Sequence, residues 1–227
     1  MPRLVSIAIL LLAGSAAAET VAVIGTGNVG MAIGTEFAGL GHTVIYGSRS
    51  PLSLKTMDLV TKTGKDASAA LPADAAAKAD VVVLAVPGMV TETVAGGLGD
   101  LGGKIIIDAT NPLKREGEVL QFEYGVDTSN GQIVQAQHPD AFVVKAFNTI
   151  SWEAMIDPGK PAPVMPLAGD SAEAKAKVAG WVQAMGIDTI DIGGIEHARV
   201  TEQLVVLMLN NRFSDEPKYE ILFRKVD

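Results

Sequence analysis

The feature that most constrains the fold of this 227-residue chain is a glycine-rich segment between an apolar run and a helical pattern. The run Thr20–Ile24 predicts a buried strand, and residues 28–40 predict a helix. Between them, glycines stand at G-x-G-x-x-G spacing. In such a unit the first glycine permits a tight turn, the second admits a pyrophosphate, and the third packs the helix on the strand. The segment predicts a dinucleotide site at Gly25, Thr26, Gly27, Asn28 and Val29.

Apolar runs and helical patterns alternate along the rest of the chain. Strands are predicted at 43–46, 67–70, 81–86, 104–108 and 142–145, with helices at 51–62, 73–79, 89–98 and 130–137. This order predicts an α/β, Rossmann-type, doubly wound, mainly parallel sheet with helices on both faces. The residues between the fifth strand and the helix at 130–137 are interpreted mainly as a loop. Later elements, at 164–167, 172–185, 188–191 and 195–209, are interpreted as an extension of the same sheet, so that residues 19–227 form a single domain.

The end of the second predicted strand indicates which dinucleotide binds. An NAD site usually carries Asp or Glu here to hold the ribose 2′-hydroxyl. This chain has Gly47-Ser48-Arg49-Ser50 instead. Arg49 can pair with a 2′-phosphate in bidentate fashion, and the hydroxyls of Ser48 and Ser50 can donate to it. The pattern favours NADP(H), and the alternative is a solvated turn with no ligand.

Two further strand ends are expected at the same edge of the sheet, where open α/β sheets bind ligands. Val86 and Pro87 end the fourth strand and could pack on the ribose or the nicotinamide. Asn111 follows the fifth strand and could donate a hydrogen bond nearby. Pro87 also suits a helix start and Asn111 a turn before Pro112, so a structural interpretation stays open for both.

Composition excludes several classes of function. The net charge of -8 argues against a general nucleic-acid binder, which needs a basic face. The chain has no cysteine, which excludes disulfides, thiolate catalysis and cysteine-ligated metals. Its three histidines are far apart in sequence, so no metal site is predicted.

The N-terminal residues carry a different pattern. A basic residue, a short apolar run and a small-residue end at residues 1–18 predict a secretory signal peptide. Export or a periplasmic location follows if this interpretation holds, and a cytoplasmic location follows otherwise. The alternatives are an uncleaved extension or a misassigned start. No membrane domain is predicted beyond this segment.

Four motifs together resemble the NADP oxidoreductases that depend on coenzyme F420, an 8-hydroxy-5-deazaflavin, and equally the reductase domain of the STEAP metalloreductases. These motifs are the glycine-rich turn, Gly47-Ser48-Arg49, the segment 108–112 and the segment 144–150. The resemblance covers nearly everything after Glu19, and the segment 145–150 is its most specific part. It implies that residues 26–29 bind pyrophosphate, that Ser48 and Arg49 hold the 2′-phosphate, and that Val86 and Ala146 flank the nicotinamide.

The resemblance implies hydride transfer between NADP(H) and a small-molecule acceptor, a deazaflavin, a flavin or a similar ring. Such a step needs orientation more than an acid or base. Asn148 is the candidate catalytic residue, through a hydrogen bond to the acceptor. Lys145 could contact a phosphate or the acceptor, or be solvated, and His138 is interpreted as a capping or surface residue.

Three other interpretations of the chain stay open. They are a β-hydroxyacid dehydrogenase, a non-catalytic NADPH-binding module, and a reductase subunit for a metal or flavin partner. The first would need a glycine-led helix with a catalytic lysine, which the sequence does not show after the sixth predicted strand. A homodimer is also left open.

Overall fold

The structure is a computed structural model that describes residues 18–117, 119–212 and 221–226. Its strands are β1 (Thr20–Ile24), β2 (Thr43–Gly47), β3 (Ser68–Ala70), β4 (Val81–Leu84), β5 (Ile105–Asp108), β6 (Leu113–Glu116), β7 (Val119–Phe122), β8 (Phe142–Lys145), β9 (Val164–Leu167) and β10 (Asp188–Asp191). Its helices are α1 (Asn28–Gly39), α2 (Leu54–Thr63), α3 (Pro72–Lys78), α4 (Thr91–Gly96), α5 (Asn130–Gln137), α6 (Trp152–Ile156), α7 (Ala172–Ala184) and α8 (Ala198–Arg212). Short 3₁₀ turns lie at Gly88–Val90 and Ile195–His197.

A six-stranded sheet in the order β3-β2-β1-β4-β5-β8 forms the centre of the molecule, and all of its strand pairs are parallel. The chain builds outward from β1 on one side through β2 and β3, then returns to the other side of β1 through β4. This reversal opens a crevice at the carboxyl ends of β1 and β4, where doubly wound sheets bind ligands. The predicted fold class is confirmed.

Both faces of the sheet are covered because successive residues of a strand point to opposite sides. In β1, Val21 and Val23 pack in the cluster with α1, α2, α6 and α7. Ala22 and Ile24 pack in the other cluster, with α3, α4, α5 and the first residue of α8. All four side chains are buried. A continuous apolar run therefore becomes a strand with two covered faces, as parallel sheets require.

Several elements differ from the sequence prediction. Strands β6 and β7 form an antiparallel hairpin in the segment that was interpreted as a loop, and α6 was not predicted. Strand β4 ends at Leu84 instead of residue 86. The helix predicted at 89–98 is a 3₁₀ turn followed by α4. β6 has the polar sequence Leu-Lys-Arg-Glu, and β7 is only four residues long, so neither strand offers a long apolar period on which such predictions rest.

The second half of the chain extends the sheet in an unexpected way. Strands β9 and β10 pair with each other in parallel as a separate two-stranded sheet. They join the central sheet through one antiparallel bridge between Lys145 and Ala168. Close packing holds this junction, because a Cβ atom at Gly169 would lie 2.6 Å from the carbonyl oxygen of Val143.

The predicted signal peptide lies outside the described residues, apart from Ala18. Within the described part of the chain, no helix is long and apolar enough to cross a membrane.

Candidate functional site

Two glycines of the turn between β1 and α1 are required by packing. The amide of Gly25 donates to the carbonyl of Gly47 at 3.0 Å, which ties the turn to the end of β2. Gly25 has a φ of +120°, and a Cβ atom there would lie 2.3 Å from the carbonyl oxygen of Ala85. A Cβ atom at Gly30 would lie 2.2 Å from the carbonyl oxygen of Gly25. A side chain at Gly25 would clash with the backbone that follows β4, and one at Gly30 would clash with the backbone of the turn itself.

Gly27 faces a different environment. It is the N-cap of α1 with a φ of -82°, and a Cβ atom there would meet nothing within 4 Å. No side chain caps α1, whereas serine hydroxyls cap α2, α5, α6 and α7. Asn28 is exposed, and Thr26 and Val29 are half-buried. The first turn of α1 thus keeps backbone donors without a side-chain acceptor beside open space, an arrangement that suits an anionic ligand.

The end of β2 and the start of α2 present one cation, Arg49, and several hydroxyl groups. Arg49 is exposed and forms no salt bridge with another described residue. The hydroxyl of Ser48 lies 3.3 Å from that of Thr56 and accepts the amide of Ser50 at 3.1 Å. Ser53 caps α2 and reaches Thr56 at 3.0 Å. This network orders the Ser48 hydroxyl and leaves the guanidinium of Arg49 without a protein anion.

The ends of β4 and β5 are in close contact. The amide of Ala85 donates to the carbonyl of Ile24 at 2.9 Å, so the end of β4 adjoins the glycine-rich turn. Val86 is half-buried and Pro87 is exposed. A Cβ atom at Gly88 would lie 1.8 Å from the carbonyl oxygen of Asn111, so the backbones of the two loops touch.

The segment after β8 completes the edge of the crevice. Ala146 is fully buried, and its amide donates to the carbonyl of Asp108 at 3.2 Å. Phe147 is buried with a φ of +64°, an uncommon left-handed conformation for a bulky residue. Asn148 is 6% exposed, and its Nδ2 donates to Oδ1 of Asn111 at 3.1 Å. The structure therefore brings the predicted site residues from five strand ends to one edge of the sheet.

Sequence reasoning missed a buried ionic network at the same edge. Nζ of Lys145 donates to Oδ2 of Asp108 at 2.8 Å, to Oε1 of Glu202 at 2.5 Å and to the carbonyl of Thr110 at 2.5 Å. The three ionisable side chains are fully buried. None of the roles considered for Lys145, a contact with a phosphate or with the acceptor or exposure to solvent, fits this environment. Asp108 and Lys145 are register partners at the ends of β5 and β8, a signal that becomes visible once the two strands are aligned.

The network has two carboxylates and one ammonium group, and the N-terminus of α5 stabilises the second negative charge. Glu202 accepts the amides of Asn130 at 3.1 Å and Gly131 at 3.3 Å, at the positive end of that helix. Burial alone would lower the pKa of Lys145, but its pKa is raised because Asp108 and Glu202 face the ammonium. The pKa of Glu202 is raised, chiefly by burial and further by the charge of Asp108.

Two further observations concern possible chemistry elsewhere. His138 is the C-cap residue of α5 and is buried, with Nε2 3.0 Å from the carbonyl oxygen of Ala95, so it caps a helix and is not a surface residue. Among the described residues, no group of three or more His, Asp or Glu side chains is arranged to hold a metal ion.

A family model, related sequences and a solved structure all relate this chain to NADP-dependent oxidoreductases. The family model described as NADP oxidoreductase, coenzyme F420-dependent, matches residues 20–112. The F420-dependent NADP reductase of Methanothermobacter thermautotrophicus is 30% identical over 203 residues, which cover 82% of this chain and 85% of that protein. The metalloreductase STEAP3 of Rattus norvegicus is 30% identical over 193 residues, which cover 85% of this chain and 37% of that protein.

A solved structure supports the same relationship. A protein of Arthrobacter sp. FB24, assigned as an F420-dependent NADP reductase, has a TM-score of 0.79 and 33% identity, covering 84% of this chain and 92% of that one. The fold and its relatives define an NADP-dependent oxidoreductase of the Rossmann type. The chain belongs to the family of F420-dependent NADP oxidoreductases.

Proposed function

We propose that this protein binds NADPH along the crevice and reduces a deazaflavin or flavin. The observation that carries the proposal is the first turn of α1, where Gly27 leaves open space and no side chain caps the helix. A diphosphate fits this position because backbone amides and the helix dipole both favour negative charge. The F420-dependent family of the chain supports the choice of acceptor.

The 2′-phosphate of NADPH is assigned to the end of β2. The guanidinium of Arg49 has no described protein anion to compete with a ligand, and Ser48 and Ser50 present hydroxyls on the same loop. A planar guanidinium matches two phosphate oxygens at once. NADPH should therefore bind more tightly than NADH.

The nicotinamide end is assigned to the loops after β4, β5 and β8. Val86, Pro87 and Ala146 would flank the ring, and Asn111 lies at the joint between two of these loops. When bound, NADPH supplies a hydride to the acceptor ring, which then takes one proton from solvent. The chain contributes binding and orientation, since hydride transfer depends on the approach of two rings more than on a dedicated acid or base.

A second candidate is a reductase subunit that passes electrons to a partner. Similarity to the metalloreductase STEAP3 favours it, and the chain spans 37% of the length of that protein. In this case the flavin or metal acceptor would belong to another chain. The NADPH site would be the same, so the two candidates differ only in the acceptor.

An acceptor screen on the full chain tests the proposal. Oxidation of NADPH and of NADH is followed with coenzyme F420, FMN, FAD or a ferric chelate as acceptor, and calorimetry measures binding of both nucleotides. We expect NADPH oxidation with F420 or a flavin, and slower oxidation of NADH. Tight NADPH binding without turnover by any acceptor would favour a non-catalytic module. The absence of binding heat with either nucleotide would refute the proposed site.

A further inference from the structure

Two asparagine side chains at the crevice orient each other. Nδ2 of Asn111 donates to the backbone carbonyl of Asn148 at 3.2 Å. Because a carbonyl only accepts, this bond fixes the amide of Asn111 and leaves its Oδ1 as the atom that receives Nδ2 of Asn148, at 3.1 Å. The orientation of the Asn148 amide follows from these two bonds. Its Oδ1 is the atom left over.

That atom has no hydrogen-bond partner. Oδ1 of Asn148 is enclosed by the protein and accepts from no donor in the described structure. An unsatisfied buried carbonyl is unfavourable and uncommon in native proteins. The residue before it, Phe147, is held in the left-handed region at a φ of +64°. A strained backbone and an unsatisfied acceptor in consecutive residues are features that cluster at ligand sites.

The location of Asn148 limits the ligand group that could complete it. Asn148 follows β8 and contacts Asn111 after β5, and Ala146 lies two residues earlier at the position assigned to the nicotinamide. An acceptor oxygen requires an N–H or O–H donor. The nicotinamide ring offers one such group, the N–H₂ of its carboxamide.

We propose that the side-chain oxygen of Asn148 accepts a hydrogen bond from the carboxamide N–H₂ of the nicotinamide. This inference rests on the proposed function and makes Asn148 a residue of the nicotinamide pocket instead of the acceptor pocket. This bond requires the enclosed oxygen to turn toward the ligand while Nδ2 stays near Asn111. The bond fixes which face of the ring lies toward the acceptor.

The test compares two ligands that differ in the donor alone. NADP⁺ carries the carboxamide, and its 3-acetylpyridine analogue replaces the N–H₂ with a methyl group. Calorimetry on the full chain should give the wild-type protein about a tenfold preference for NADP⁺, the effect of one hydrogen bond. Asn148→Ala should bind both ligands with the same affinity. Gln137→Ala removes an exposed amide on α5 and should keep the wild-type preference.

Adenosine 2′,5′-bisphosphate lacks the nicotinamide half, and Asn148→Ala should bind it as the wild-type protein does. A variant that binds this ligand normally and still prefers NADP⁺ overturns the inference. Wild-type protein that binds neither dinucleotide would refute the proposed function instead, so the two failures are distinguishable.

Discussion

Removing the ammonium of Lys145 should destabilise the fold far more than removing a surface lysine. Lys145→Met retains an apolar chain of similar length but leaves Asp108 and Glu202 buried without their cation. Breaking a buried ion pair by deleting one partner costs about 3–5 kcal/mol. With a slope of about 2 kcal/mol per molar urea, the unfolding midpoint should fall by roughly 1.5–2.5 M. Fluorescence of the buried Trp181 reports this transition.

The matched control is Lys62→Met, which removes an exposed i,i+4 pair with Asp58 and should change stability by less than about 0.5 kcal/mol. Adding Glu202→Gln to Lys145→Met removes one stranded carboxylate and should restore part of the loss. Burial already raises the pKa of Glu202. As pH falls, Glu202 in the folded single variant Lys145→Met therefore binds a proton at a higher pH than it does in the unfolded chain. The stability of this variant should therefore rise as pH falls toward the ordinary carboxyl range. A loss below about 1 kcal/mol for Lys145→Met, or an equal loss for the control, would refute this account.

Three further outcomes are expected. Gly27→Val should abolish NADPH binding and keep the fold, because a Cβ atom at this position meets no protein atom. The control Gly39→Val is at an equally open position and should keep both the fold and NADPH binding. An unchanged NADPH titration in Gly27→Val would refute the diphosphate assignment. Arg49→Ala should weaken the binding of NADPH about 10- to 100-fold and the binding of NADH little, as measured by calorimetry with Lys62→Ala as the control. Equal losses of affinity for the two nucleotides would show that Arg49 does not bind the 2′-phosphate. Burial lowers the pKa of His42, so the stability that the neutral ring contributes is lost as pH falls from about 6.5. Urea titrations should show this loss of stability at low pH in the wild-type protein and a smaller loss in His42→Gln.

The elements that the sequence predicted well are those whose signals are local. Val81–Leu84 is a continuous apolar run, and it forms a strand buried on both faces. Glycine spacing after Ile24 predicted the turn and the start of α1 within a residue, because the turn geometry depends on neighbouring positions only. Once the strands are parallel, their carboxyl ends meet at one edge, so the candidate residues at those ends could be expected to lie near one another without knowledge of any contact.

The features that the sequence did not reveal depend on distant residues. Glu202 is 57 positions from Lys145 and pairs with it only because α8 packs against α5. Nothing in the local pattern distinguishes Lys145 from a solvated lysine at a strand end. The left-handed Phe147 is likewise invisible in sequence, since its amide contact with Met165 comes from β9. Tertiary contacts impose these states against local preference.

The three glycines of the motif at 25–30 do not share one role, and this difference connects fold to function. Gly25 and Gly30 are fixed by protein atoms that a Cβ would strike at 2.3 Å and 2.2 Å, so any folded chain with this turn needs them. Gly27 has no such neighbour, and a side chain there would fit the ligand-free protein. The absence of a side chain at Gly27 leaves the space that the proposed diphosphate would occupy. Of the three positions, Gly27 alone is free of protein contacts, so the NADPH titration of Gly27→Val tests the proposed diphosphate site without disturbing the turn.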